Sequence, residues 1–149
     1  MFRAATLAIA LGLASLATTA PAQDFTEHQV EDSFDNVAFA VENAILARGL
    51  VIDSVSHVGD MLERTKADVG ATRTLFDGAQ VFLFCSAAVS RQVMEADPHN
   101  IRHCPYGIHV YTLPDAPGRV VVSHRTYDGT MAPVQDLLSG IVDDALDLN

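Results

Sequence analysis

Val81-Phe82-Leu83-Phe84-Cys85 is an unbroken apolar run, and it passes directly into Ser86 and then Ala87, Val89, Val93 and Ala96. A short run of this kind reads as a strand covered on both faces. Ser86 is of the type that caps a helix, and Val89, Val93 and Ala96 then give that helix an apolar side. Asp97-Pro98 ends it, because the residue before a proline is pushed out of helical geometry. The same grammar extends downstream. Residues 106–112 and 119–125 read as two strands, joined by Leu113-Pro114-Asp115-Ala116-Pro117-Gly118, a loop of hairpin length and turn composition. Val134, Leu137, Leu138, Ile141, Val142 and Ala145 make one stripe of a final helix.

Upstream, residues 25–30 can form an opening strand. Asp35 is placed to cap a helix in which Phe34, Val37, Ala38, Val41, Ala44 and Ile45 recur at helical spacing, with Gly49 as its stop. Residues 50–58 are β-branched and roughly alternating, so they read as a second strand. Asp60 and Glu63 stand in capping-box spacing and open a helix that ends near Gly70, followed by a loop. The expected order is β-α-β-α-β-α-β-β-α. That is an α/β (α+β) architecture, a mixed β-sheet packed with helices on one or both faces.

The chain has 149 residues, which suits one domain, and a formal charge of −10. So acidic a chain lacks the basic patch that nucleic acid demands, and charge gives it no hold on anionic lipid. With 49% hydrophobic and 19% charged residues it can bury a core. Residues 1–22 read as a secretory signal peptide. Arg3 supplies the positive start, residues 7–17 the short apolar run, and Ala20-Pro21-Ala22 the small-x-small cleavage pattern. The run is shorter than the ~20 residues that cross a bilayer. No Cys follows it to carry a lipid. The expected product is therefore a single domain at 23–149, exported to the periplasm, with no membrane anchor after cleavage.

Phe84-Cys85, Glu95-Ala96-Asp97-Pro98 and Cys104-Pro105-Tyr106, in that order and spacing, resemble the domain-of-unknown-function 302 family. Ser33-Phe34, a helix, and Arg48-Gly49-Leu50 fit the same pattern, so the resemblance spans roughly residues 32–144. It implies a compact α/β domain that often forms a homodimer, and it implies no established reaction. It also implies that haem is a ligand of some members, with no family ligand residue to carry over. One departure is plain: Ser86-Ala87 stands where many members have Asn-Pro after the first Cys.

Cys85 and Cys104 are the only thiols. Nineteen positions and one helix separate them, which leaves three readings open. They are buried free thiols, or they form a structural disulfide if their strands are neighbours, or Cys85 is a reactive thiolate favoured by the helix that follows it. The last makes the chain a thiol or disulfide redox protein centred on Cys85, with a periplasmic redox partner. No Cys-x-x-Cys motif accompanies it.

Six histidines invite a metal or haem reading. None stands in a zinc spacing, and no Cys-x-x-Cys-His attaches haem covalently. His57 is the best axial candidate. It closes the second strand on the same side as Val51 and Val55, and Gly59 beside it permits close approach of a ligand. Its alternative is a half-buried strand histidine bonded to a neighbour. His109 and His124 fall on the two hairpin strands. Arg125-Thr126-Tyr127 leaves the last strand, where it is placed either to bind an anion or to join a surface ion pair. No nucleophile elbow or phosphate loop is present. The reading preferred from sequence is a non-catalytic module that binds a small ligand, haem among the candidates, or assists assembly. The Cys85 redox protein is the alternative.

Overall fold

The computed structural model describes residues 24–148. The expected leader at 1–22 lies outside the described residues. The strands are β1 (Phe25–Glu31), β2 (Val51–Ser56), β3 (Gly78–Cys85), β4 (Tyr106–Thr112) and β5 (Arg119–Arg125). The helices are α1 (Phe34–Ala47), α2 (Val58–Thr65), α3 (Ala87–Ala96) and α4 (Ala132–Leu146), with short 3-10 turns at Pro98–His103 and Gly129–Met131. This is the expected order and the expected α+β class. The sheet runs β1-β5-β4-β3-β2, and every neighbouring pair is antiparallel rather than mixed. The reason is where the crossover lands. The strands β1 and β2, joined by α1, run the same way but occupy opposite edges of the sheet, so they never meet.

Strand β4 sets the layering. Tyr106, Ile108, Val110 and Thr112 are buried, while Gly107, His109 and Tyr111 are half-buried on the other side. The inward set joins Phe82 and Phe84 of β3, Val120 and Val122 of β5, and buried residues of α1, α3 and α4 in one core. Three helices therefore share one face of the sheet. The short α2 has no buried residue and lies beside β3. Where α1 and α4 end, Arg48 donates to Asp144 from both Nε and Nη2, at 3.0 and 2.6 Å.

Ser86 caps α3 as expected, accepting from the Val89 N–H at 3.3 Å. Gly49 stops α1 with φ +73°, a left-handed geometry that glycine adopts freely. The cap of α1 is Ser33, which accepts from the Asn36 N–H, and Asp35 sits in the first turn instead. The Glu63 carboxylate does not close a capping box, because it accepts from Lys66 and Thr74. The helix it belongs to stops at Thr65, earlier than Gly70. In β2 the register shifts between Ile52 and Ser54. Asp53 is the extra residue, so Ile52 and Val55 face the core while Val51 pairs beside Cys85 and is 73% exposed. The expectation that Val51, Val55 and His57 share a side fails on this bulge.

His124 is fully buried on the helix side of β5. Its Nδ1–H donates to the Arg125 carbonyl at 2.9 Å, and among the described residues its Nε2 is buried without a partner. Burial holds its pKa below the ordinary 6.5; His28 and His109 push the same way, and the Arg125 carbonyl and Asp143 oppose them. The unfolded chain therefore takes up this proton more readily than the folded one. Stability is full above 6.5 and falls as the pH drops below it, until the buried ring itself is protonated. Urea midpoints measured from about pH 7.5 down to about pH 5 should decline, and His124→Phe should flatten that decline. An unchanged slope in the variant would remove His124 as its source.

Candidate functional site

The face of the sheet opposite the three helices is built by the same alternation. Phe25 and Glu27 of β1, Ser123 and Arg125 of β5, His109 and Tyr111 of β4, and Val81 and Leu83 of β3 all project there by register. One row runs Glu27, Ser123, His109, Val81, Ser56 across all five strands. Phe25, 45% exposed, sets its ring edge-on to His109 with centroids 5.8 Å apart. Phe76 stands edge-on to Tyr111 at the same distance. Together with Val58 and Val81 these rings line a shallow, mainly apolar trough of about 420 Å³. The His109 Nδ1–H donates to the Ser123 carbonyl at 3.1 Å, which leaves Nε2 as the acceptor of that ring. Burial raises the pKa of the Tyr111 hydroxyl, and so does neighbouring Glu27, whose carboxylate accepts from it at 3.4 Å.

At one end the trough meets a second cavity of about 270 Å³, and both are lined by Phe25 and His109. Its walls include Arg102, His103, Cys104, Arg125 and Tyr127. Arg102 donates from Nε to His103 Nε2 at 3.3 Å, so the imidazole accepts there and carries its proton on Nδ1. That Nδ1 is buried with no hydrogen-bond partner among the described residues. Burial, then the charges of Arg102 and Arg125, hold the pKa of His103 below its ordinary value. The Tyr127 ring stands edge-on to His103 at 5.5 Å.

Cys85 and Cys104 are bonded, with Sγ atoms 2.07 Å apart and Cα atoms 6.4 Å apart. Phe84 pairs with Tyr106, so the bond lies just beyond the last cross-strand pair of β3 and β4. It closes the loop formed by α3 and the turn at Pro98–His103. Neither sulfur is a free thiol. His57, the candidate axial ligand, is the residue preceding α2 and is mostly in solvent. Its Nδ1 is 3.2 Å from Gln80 Nε2 and 3.9 Å from Asp60. The trough is lined by Val58 next to it, and not by His57. The structure does not bring His57 and Cys85 into one site.

Residues 26–147 match the family described as Domain of unknown function DUF302. The chain belongs to the DUF302 family. Among solved structures, an uncharacterized conserved protein DUF302 from Bacillus stearothermophilus is similar to it at 13% identity, with a TM-score of 0.56. That likeness covers 83% of this chain and 88% of the other, and at such identity it speaks for the fold alone. No curated protein matches. In this DUF302 chain no three His, Cys, Asp or Glu side chains converge to hold a metal ion among the described residues. No described helix is long and apolar enough to cross a membrane.

Sequence reasoning singled out Arg125 and Tyr127 but missed Arg102 and Phe25 as their companions. The string Arg102-His103-Cys104 was the available signal, because whatever fixes Cys104 beside β3 also fixes Arg102 and His103. Removing the disulfide as Cys85→Ser with Cys104→Ser should cost roughly 3 kcal/mol, on the chain-entropy model for a loop of this length. Urea unfolding in parallel with the wild type measures it, and a loss near zero would mean that the pair does not restrain the unfolded chain.

Proposed function

We propose that this DUF302 chain is an exported, non-catalytic module that binds a small apolar ligand on the face of its sheet opposite the helices. The observation that carries the reading is the trough itself. Phe25, Val58, Phe76, Val81 and Tyr111 gather apolar surface on one side of the sheet, with Glu27, Gln80, His109 and Ser123 as the few polar groups among them. Concave apolar surface with a small number of fixed polar groups is the usual form of a small-ligand site. The non-catalytic part of the reading is supported by the cysteines, since the two side chains that the sequence offers as nucleophiles are bonded to each other. Haem through His57 does not fit the residues present, because that imidazole stands in solvent outside the trough. Export rests on the leader-like composition of residues 1–22.

The uncharged dye N-phenyl-1-naphthylamine should bind the purified protein with a rise in emission. The chain has no Trp, which keeps the protein background low. Val81→Arg and Phe25→Ser should each weaken that binding about tenfold or more, as expected for losing one large apolar contact. His57→Ala should leave it unchanged. Dye binding that ignores Val81 and Phe25 would sink the sheet-face reading. The product recovered from the periplasm should begin at Gln23 on N-terminal sequencing, and an intact leader would overturn export.

A further inference from the structure

Eight of the nine Lys and Arg residues lie in the described part of a chain that carries nineteen Asp and Glu. Several are neutralised locally: Arg48 by Asp144, Lys66 by Glu63, and Arg91 by Glu95. Arg64, Arg73, Arg102, Arg119 and Arg125 are in no ion pair among the described residues, and two of them, Arg102 and Arg125, come together. They line the same small cavity, and neither has a carboxylate within 4.0 Å among the described residues. That cavity has no acidic residue in its wall. Asp97 and Asp128 line a second depression that the two arginines share, and Arg102 helps to lower the Asp97 pKa, although Oδ1 of that carboxylate accepts from the His99 N–H and stands 3.0 Å from its ring nitrogen. Two guanidinium groups that line one cavity with no carboxylate in its wall repel each other, and that arrangement suits an anion between them.

The rest of the wall describes what the anion is attached to. Phe25, Leu83 and Pro105 supply apolar surface. Gly107 of β4 keeps the floor open, since a Cβ there would meet Leu83 Cδ2 at 3.4 Å and fill space on that side. With its Nε engaged by His103, Arg102 keeps its terminal amino groups for a ligand oxygen. We propose that this cavity is the anion subsite of the sheet-face trough, and that the ligand is a small oxyanion, carboxylate or phosphate, carried on an apolar body. The anionic group lies between Arg102 and Arg125, and the body runs past Phe25 and His109 into the trough. The proposal rests on the small-ligand reading given above and adds its ligand class.

Phenylacetate, its uncharged amide phenylacetamide, phenyl phosphate and inorganic phosphate separate the alternatives, with dissociation constants read by ligand-observed NMR. Phenylacetate or phenyl phosphate should bind about tenfold or more tightly than phenylacetamide, the scale of one charge-assisted hydrogen bond. The stronger of the two names the oxyanion. The double variant R102Q/R125Q should bring that anion down to the level of the amide, and added salt should do the same in part. Gly107→Val should weaken the aromatic anions while leaving the fold intact by circular dichroism. Equal binding of acid and amide, no binding of either aromatic anion, or binding untouched by R102Q/R125Q would overturn the subsite. Inorganic phosphate bound as tightly as phenyl phosphate would overturn the apolar part of it. N-phenyl-1-naphthylamine binding distinguishes the two levels: if the dye still reports Val81 and Phe25, only the anion subsite has failed.

Discussion

The side chains of β4 alternate between two environments, and both layers of the molecule follow from that alternation. Tyr106, Ile108, Val110 and Thr112 turn toward α1, α3 and α4, and the strand sits at the centre of the sheet, so its inward residues are buried. Their register carries the neighbours with them. Phe82 and Phe84 on one side, and Val120 and Val122 on the other, must then face the same way. Burying apolar area at about 25 cal/mol per Å² rewards that arrangement, and a slip of one residue would expose the whole set. The opposite face is the necessary complement. What it displays is whatever the odd-numbered positions carry: a glycine, an imidazole and a phenol on β4 alone.

That constraint explains what the sequence made legible. Long elements with strong periodicity, such as α4 and the β4–β5 hairpin, were readable because many residues vote for one pattern. The helix caps were less so. Ser33 and Asp35 are both good capping residues, and only the backbone decides which of the two accepts from the N–H of Asn36. The bulge at Asp53 was not readable at all, since Val51, Asp53 and Val55 alternate as well in a bulged strand as in a regular one. His57 leaves the alternation for a second reason, because the strand ends at Ser56 and His57 already precedes α2. The direction of the sheet was also hidden. A helix between two strands suggests parallel neighbours, and sequence does not say that α1 carries the chain from one edge to the other.

The candidate site was legible in fragments. Arg125 and Tyr127 were visible as a polar exit from the last strand, and His103 as a neighbour of Cys104. Their assembly depends on contacts between residues far apart in the chain, above all the bond between Cys85 and Cys104 and the pairing of Phe25 opposite Arg125. The acidity of the chain describes only its total. A net charge of −10 weighs against broad anionic partners, but it says nothing of two guanidinium groups that line one cavity. Local charge and total charge are separate properties, because screening confines each surface charge to a radius of about 8 Å in physiological salt.

The displaced residue in β2 has an effect beyond the facing of side chains. That strand is one margin of the sheet, with no further strand beside it among the described residues. A straight outer strand is an open template on which another polypeptide can add itself, and such templates seed aggregates. Here the irregularity at Asp53 interrupts the strand and places a carboxylate in it. The distortion that obscured the register thus helps this margin stay unzipped from its neighbours in a crowded compartment.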